Sequence, residues 1–147
     1  MVSPNPGLLA ALLKTGRLTG VLRWKVVLVD DAVSQECAAA GWRSALLNTQ
    51  GAKSLEEFLQ ISATELGLTV EARSSIAAWE QALVGQIVQD VPVCITWLGW
   101  QDLIASNSAD AAVVVNIFED ILKSQPGLVL ISGPQGNFPQ VDELALA

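Results

Sequence analysis

The stretch "VPVCITWL", residues 91–98, is apolar at nearly every position and shows no alternation between apolar and polar side chains. A strand with one face in water repeats with a period of two. A run that is apolar on both faces belongs instead to a strand covered on both sides, as in a parallel sheet flanked by helices. Pro92 stands near the start of the run, where a missing N–H is tolerated. A second run of the same kind, "GLVLIS" at 127–132, ends the patterned part of the chain. Two such runs point to an α/β layer protein.

The segments around these runs carry helical signals. "SLEEFLQISATELG" (54–67) sets Ser54 three residues before Glu57, a capping-box pattern, and ends on Gly67, a natural helix stop. Leu55, Phe58, Leu59, Ser62 and Leu66 fall on one face of that helix. A second helix is predicted over 74–88 and a third over 109–123, the latter after the cap-rich "SNSAD" and burying Val114, Ile117, Phe118, Ile121 and Leu122. Upstream, "GLLAALLKTG" reads as a short helix, "GVLRWKVVLVD" as a strand, "AVSQECAAAG" as a helix stopped by Gly41, and "WRSALLN" as another strand. The ending "GPQGNFPQVDELALA" has two prolines, two glycines and little periodicity, and is expected to be a mobile tail.

Composition narrows the function. The chain has 147 residues, with 51% hydrophobic and 16% charged, which fits one globular domain with a sizeable core. No apolar run approaches the roughly 20 residues that cross a bilayer, and the N-terminus reads as a helix or arm, not a signal peptide. Histidine and tyrosine are absent, which removes the commonest general base, the commonest zinc ligand and every triad built on histidine. There is no GxGxxG, P-loop or GxSxG. Cys37 and Cys94 match no metal spacing and read as buried thiols of a cytoplasmic protein. No cofactor, no metal and no enzymatic activity are therefore expected.

Charge is uneven. Residues 1–50 carry five basic and three acidic side chains, a net +2, whereas residues 51–147 carry three basic and twelve acidic, a net −9. Such a surface repels phosphate backbones and favours a basic protein as partner. The candidate contact surface lies in "VEARSSIAAWEQALVGQIV" (70–88). There Ile76, Trp79, Leu83 and Ile87 form the core stripe, while Glu80 shares the next strip with Arg73, Ala77 and Val84. A solvated helix face normally carries more charge than this one. The one alternative in carboxylate chemistry would pair Glu80 with Asp120 across a cleft.

The segments "SLEEFLQISATELGL", "IAAWEQAL", "VPVCITW", "AVVVNIFEDIL" and "LVLIS", in this order and spacing, resemble the barstar-like family, intracellular inhibitors of barnase-type ribonucleases. The resemblance covers about residues 43–133. It implies a small parallel sheet packed with helices, preceded by an N-terminal extension (1–42: short helix, strand, helix) packed on the core and followed by a tail (134–147). It also implies a protein-binding surface that blocks a ribonuclease active site with acids. Carried over by position, Glu80 after Trp79 stands where the family has its principal aspartate, and Asp120 where it has a second interface acid. The loop departs from the pattern. "VEARSS" lacks the family's aromatic pair, glycine and asparagine, and Ile76 stands at an aspartate position. The expected partner-binding set is Val70, Glu71, Arg73, Ile76, Ala77, Trp79, Glu80 and Asp120. The partner is expected to be a ribonuclease or, if the surface has been rewritten, another protein bound in an adaptor role, without direct contact to nucleic acid or membrane.

Overall fold

The computed structural model describes residues 13–14, 20–24, 30–87, 90–125, 127–132 and 142–143. The elements run β1 (Gly20–Trp24), α1 (Asp30–Ala39), β2 (Arg43–Asn48), α2 (Leu55–Glu65), a 3₁₀ turn (Val70–Arg73), α3 (Ile76–Ile87), β3 (Val93–Leu98), α4 (Gln101–Ser106), α5 (Ser108–Leu122), β4 (Gly127–Ser132) and β5 (Asp142–Glu143). All pairings are parallel and the sheet order is β2-β3-β4-β1-β5. The two apolar runs are neighbours in its middle, with Val93 to Trp97 in register with Gly127 to Ile131. Every residue from Val93 to Trp97 and from Gly127 to Ser132 is buried.

Helices cover both faces. On one, Ile95, Trp97, Val129 and Ile131 pack under α2, α3, α4 and α5. On the other, Cys94, Leu128, Leu130 and Trp24 pack under Val33 and Cys37 of α1 and under Leu13. Two covered faces explain why the central strands show no alternation. The strand expected upstream is part of this same sheet, with Gly20 to Trp24 paired to Leu128 to Ser132. The mobile tail expected at 134–147 lies outside the described residues, except Asp142 and Glu143, which pair with Leu22 and Arg23. The N-terminal helix expected near 7–16 also lies outside them, apart from helical Leu13 and Lys14.

Caps set the helix limits. Ser54 Oγ accepts from Glu57 N at 3.2 Å, as the capping-box pattern predicts, but the reciprocal bond differs: Glu57 Oε1 accepts from Lys53 N at 3.4 Å. The N-terminus of α2 is held in addition by Asp110 of α5, whose carboxylate accepts from Leu55 N at 2.9 Å. At the other end Gly67 has φ +66°, and Leu68 N reaches back to Ala63 O at 2.8 Å, closing a Schellman turn. Among the described residues no helix is long and apolar enough to cross a membrane.

Candidate functional site

The anchor of the predicted surface is Trp79. Its side chain is fully buried, and its indole N–H donates to Ser62 Oγ at 2.9 Å. Its ring meets Phe58 edge-on at 5.5 Å and Phe118 at 5.7 Å; Trp97 meets the same two phenylalanines at 5.5 and 6.2 Å, closing a ring of four aromatics. Such pairs stabilise by about 0.5–1.5 kcal/mol each beyond their burial. Trp79 therefore seats α3 on the sheet and has no surface left to touch a partner.

The strip beside it is where the helical period places it. Arg73 and Ala77 are exposed, Glu80 is half-buried, and Val84 is 37% exposed. Glu80 is the single formal charge in α3 and has no salt-bridge partner among the described residues. The 3₁₀ turn adds Val70, 72% exposed, and exposed Glu71, whose carbonyl accepts from Ser74 N at 3.2 Å and so shapes the turn into α3. Ile76 lies half-buried at the start of the helix. With Arg73 and Ser74 it lines a shallow groove of about 380 Å³, whose opposite wall is Leu55, Leu59 and Gln60 of α2. The turn leads directly into α3, so Val70, Glu71 and Arg73 immediately precede Ile76, Ala77 and Glu80, and of these Arg73 and Ile76 share the groove.

Asp120 stands apart from that layer in its bonding. It sits near the end of α5, exposed, with Lys123 Nζ at 3.5 Å from its carboxylate. Neither the groove beside Ile76 nor a larger cleft beside β2 (about 530 Å³) has Glu80 or Asp120 on its wall. The carboxylate pair considered for catalysis is therefore not assembled in either cleft.

Two features were not legible in the sequence. Arg23, which reads as an ordinary strand residue, is 2% exposed and lies with its guanidinium 4.3 Å from the centre of the Trp100 ring. Trp100 in turn donates to Ser132 O at 3.0 Å. This cluster marks the carboxyl ends of β1 and β4, where the strand order reverses direction and where open α/β sheets commonly bind ligands. Across the sheet, Trp24 Nε1 and Ser132 Oγ, an in-register pair, are buried with no hydrogen-bond partner among the described residues. The second feature is Arg43. Its side chain donates to Gln86 O and Ile87 O, at 2.9 and 3.3 Å, and to Val91 O at 2.9 Å, closing the carboxyl end of α3 with positive charge.

No family model matches the chain, and no curated protein matches it. Among solved structures it is similar to the ORC2 protein of Aeropyrum pernix, determined in ADPNP–ADP complexes, with 14% identity and a TM-score of 0.56 over 90% of this chain and 43% of that one. The chain thus spans less than half the length of that protein. At this identity the likeness shows the α/β fold alone.

Proposed function

We propose that the chain is a non-enzymatic protein-binding module that engages a basic partner through the 3₁₀ turn and the outer face of α3. The observation that carries this reading is the composition of that face. Ala77 and Val84 reach solvent on the same helix as Glu80, as does Val70 in the turn before it, with no second charge on α3. An exposed apolar strip rimmed by acid is a contact surface more than a solvated one. The resemblance to barstar-like proteins supplies the sharper form: inhibition of an intracellular ribonuclease by an acid presented to its basic active site. The adaptor form, in which the same face serves a partner that is not a ribonuclease, draws support from Arg73. That cation is exposed beside Glu80's strip and would oppose a basic catalytic centre. A cytoplasmic setting accords with two free, buried thiols.

The likeness to a protein determined with ADPNP and ADP does not bring nucleotide binding with it. The sequence after β1, "KVVLVDD", contains no glycine and no GxxxxGK[ST] cradle for phosphates.

The test compares wild type, Glu80→Ala and Glu80→Lys as baits in affinity capture, followed by titration of the captured protein and of a barnase-type ribonuclease. Glu80→Ala should leave stability within about 0.5 kcal/mol, because among the described residues no cation pairs with it. Glu80→Lys should weaken the complex at least about tenfold and flatten its salt dependence. Equal capture by all three baits would place the interface elsewhere. Tight inhibition of the ribonuclease would decide for the sharper form over the adaptor.

A further inference from the structure

The sheet has two edges, and the chain treats them differently. One is closed by β5, which pairs with β1 through Leu22 and Arg23. The other is β2, which among the described residues pairs with β3 alone. Arg43 N donates to Pro92 O at 2.8 Å and Thr49 N to Leu98 O at 3.0 Å. In a parallel ladder alternate residues turn both N–H and C=O to the same neighbour. Residues 43, 45, 47 and 49 therefore face β3, while the backbone groups of Ser44, Leu46 and Asn48 face outward.

Natural edge strands are usually blunted by lysine, proline, a bulge or a covering segment. "RSALLN" contains no lysine and no proline, and its six residues pair with β3 without interruption. Its one cation, Arg43, is turned inward onto the carbonyls that end α3. Leu46 is 45% exposed and Ser44 is exposed. Alongside the edge runs the cleft of about 530 Å³, with Ala45, Leu83 and Ile95 among its apolar lining and Glu65 and Gln86 among its polar one. On the other face of the sheet α1 flanks the strand, with Ser34 Oγ 3.3 Å from Ser44 Oγ. The sequence of α1 holds Asp30, Asp31 and Glu36 and no basic residue.

From these observations we infer that the outer edge of β2 is a strand-addition site for an extended, basic segment of another protein. Each incoming residue pair would exchange backbone hydrogen bonds with Ser44, Leu46 or Asn48. Alternate aliphatic side chains would enter the cleft, and the intervening Lys or Arg residues would lie toward α1. Charge selects this occupant. A second copy of the chain brings another −7 to an already acidic surface, whereas a basic strand is attracted to it. The chain's own β5 is held at the opposite edge. The site shares no residue with the α3 face, so the two readings stand or fall separately.

The probe is an eight-residue peptide alternating valine and lysine, compared with its valine–glutamate counterpart and with a version N-methylated at every second backbone nitrogen. With full-length, ¹⁵N-labelled protein, the lysine peptide should slow amide exchange at Ser44, Leu46 and Asn48. N-methylation or glutamate should weaken binding at least about tenfold, and Leu46→Pro, which removes an outward N–H, should do the same. Leu46→Lys tests the same edge with its backbone donors intact, should the proline variant not fold. Protection mapped to other residues, or equal binding of the N-methylated or glutamate peptide, would overturn the proposal. Concentration-dependent dimerisation abolished by Leu46→Lys would also overturn it, by making a second copy the occupant.

Discussion

Removing one oxygen atom, in Ser62→Ala, tests whether Trp79 is fixed by its polar edge as well as by its rings. Ser62 and Trp79 are both fully buried, and Ser62 Oγ is the acceptor for the indole N–H at 2.9 Å. Without it the indole donor faces an apolar core, and an unsatisfied buried donor costs about 1–3 kcal/mol. The converse change, Trp79→Phe, removes the donor itself. Ser62 Oγ keeps its bond to Leu59 O at 3.3 Å, so the hydroxyl is not left orphaned by it. Trp79→Phe then costs mainly lost contact area within the aromatic ring of four, on the order of 1–3 kcal/mol. The two changes must therefore be non-additive. In the Trp79→Phe background Ser62→Ala should cost no more than about 0.5 kcal/mol, leaving a coupling of about 1 kcal/mol or more. Urea unfolding followed by circular dichroism measures all four corners of the cycle, provided the slope with denaturant stays constant. An equal cost of Ser62→Ala in both backgrounds would refute the assigned hydrogen bond.

Three further outcomes are expected. Gly99 has φ +71°, and a Cβ built there would stand 2.6 Å from Asn48 Oδ1 and 2.7 Å from Gln50 Cα; Gly99→Ala should destabilise by about 2–4 kcal/mol in the same unfolding assay. Asp110→Ala should cost about 1 kcal/mol, because it removes the acceptor for Leu55 N while the Ser54 cap stays in place; hydrogen exchange at Leu55 should rise with it. The Cys94 thiol is pushed up by its hydrogen bond with Cys37 and by burial, while the same bond draws Cys37 down. The contribution of Cys94 is then fully present below the ordinary thiol value of about 8.5 and lost as pH rises toward the raised folded value, so stability above about pH 9 should fall more steeply for wild type than for Cys94→Ala.

Local chemistry was readable and long-range pairing was not. The limits of α2 follow from Ser54 and Gly67 because capping acts within one helical turn. The central strands were legible because burial on both faces leaves an unbroken apolar run. The six-residue helix α4 has no local signal in the sequence: its N-cap is Trp100, with no side-chain hydrogen bond to announce the start. The remaining cap of α2 comes from Asp110, 55 residues away, and no local pattern links the two. The position of β1 beside β4 is equally silent, since parallel partners are joined through crossovers whose order the strand sequence does not encode. At the candidate site the helical period placed Trp79 inward and Ala77 and Val84 outward, with Glu80 half-buried between them, because that separation depends only on spacing; Arg73 is exposed in the 3₁₀ turn before the helix. Asp120 was placed by resemblance rather than by spacing, and its described partner is Lys123.

The arrangement also explains where interaction can occur on so apolar a chain. Both faces of the sheet are spent on helix packing, and Trp79, Trp97 and Trp100 each direct the indole N–H to an internal acceptor. The buried aromatic surface is thereby committed to the fold. On the readings proposed above, contact with other molecules falls to features that packing does not consume. One is the outer strip of α3, which the aromatic ring packs against from beneath. The other is the backbone edge of β2, which among the described residues has no strand on its outer side, Arg43 closing α3 instead of guarding it. Rigid support lowers the ordering cost of binding. A destabilising change in the aromatic ring, such as Ser62→Ala, should therefore weaken binding at α3 more than at β2, whose ladder to β3 does not depend on Trp79. Parallel loss at both sites would mean that global unfolding, not the seating of α3, controls recognition.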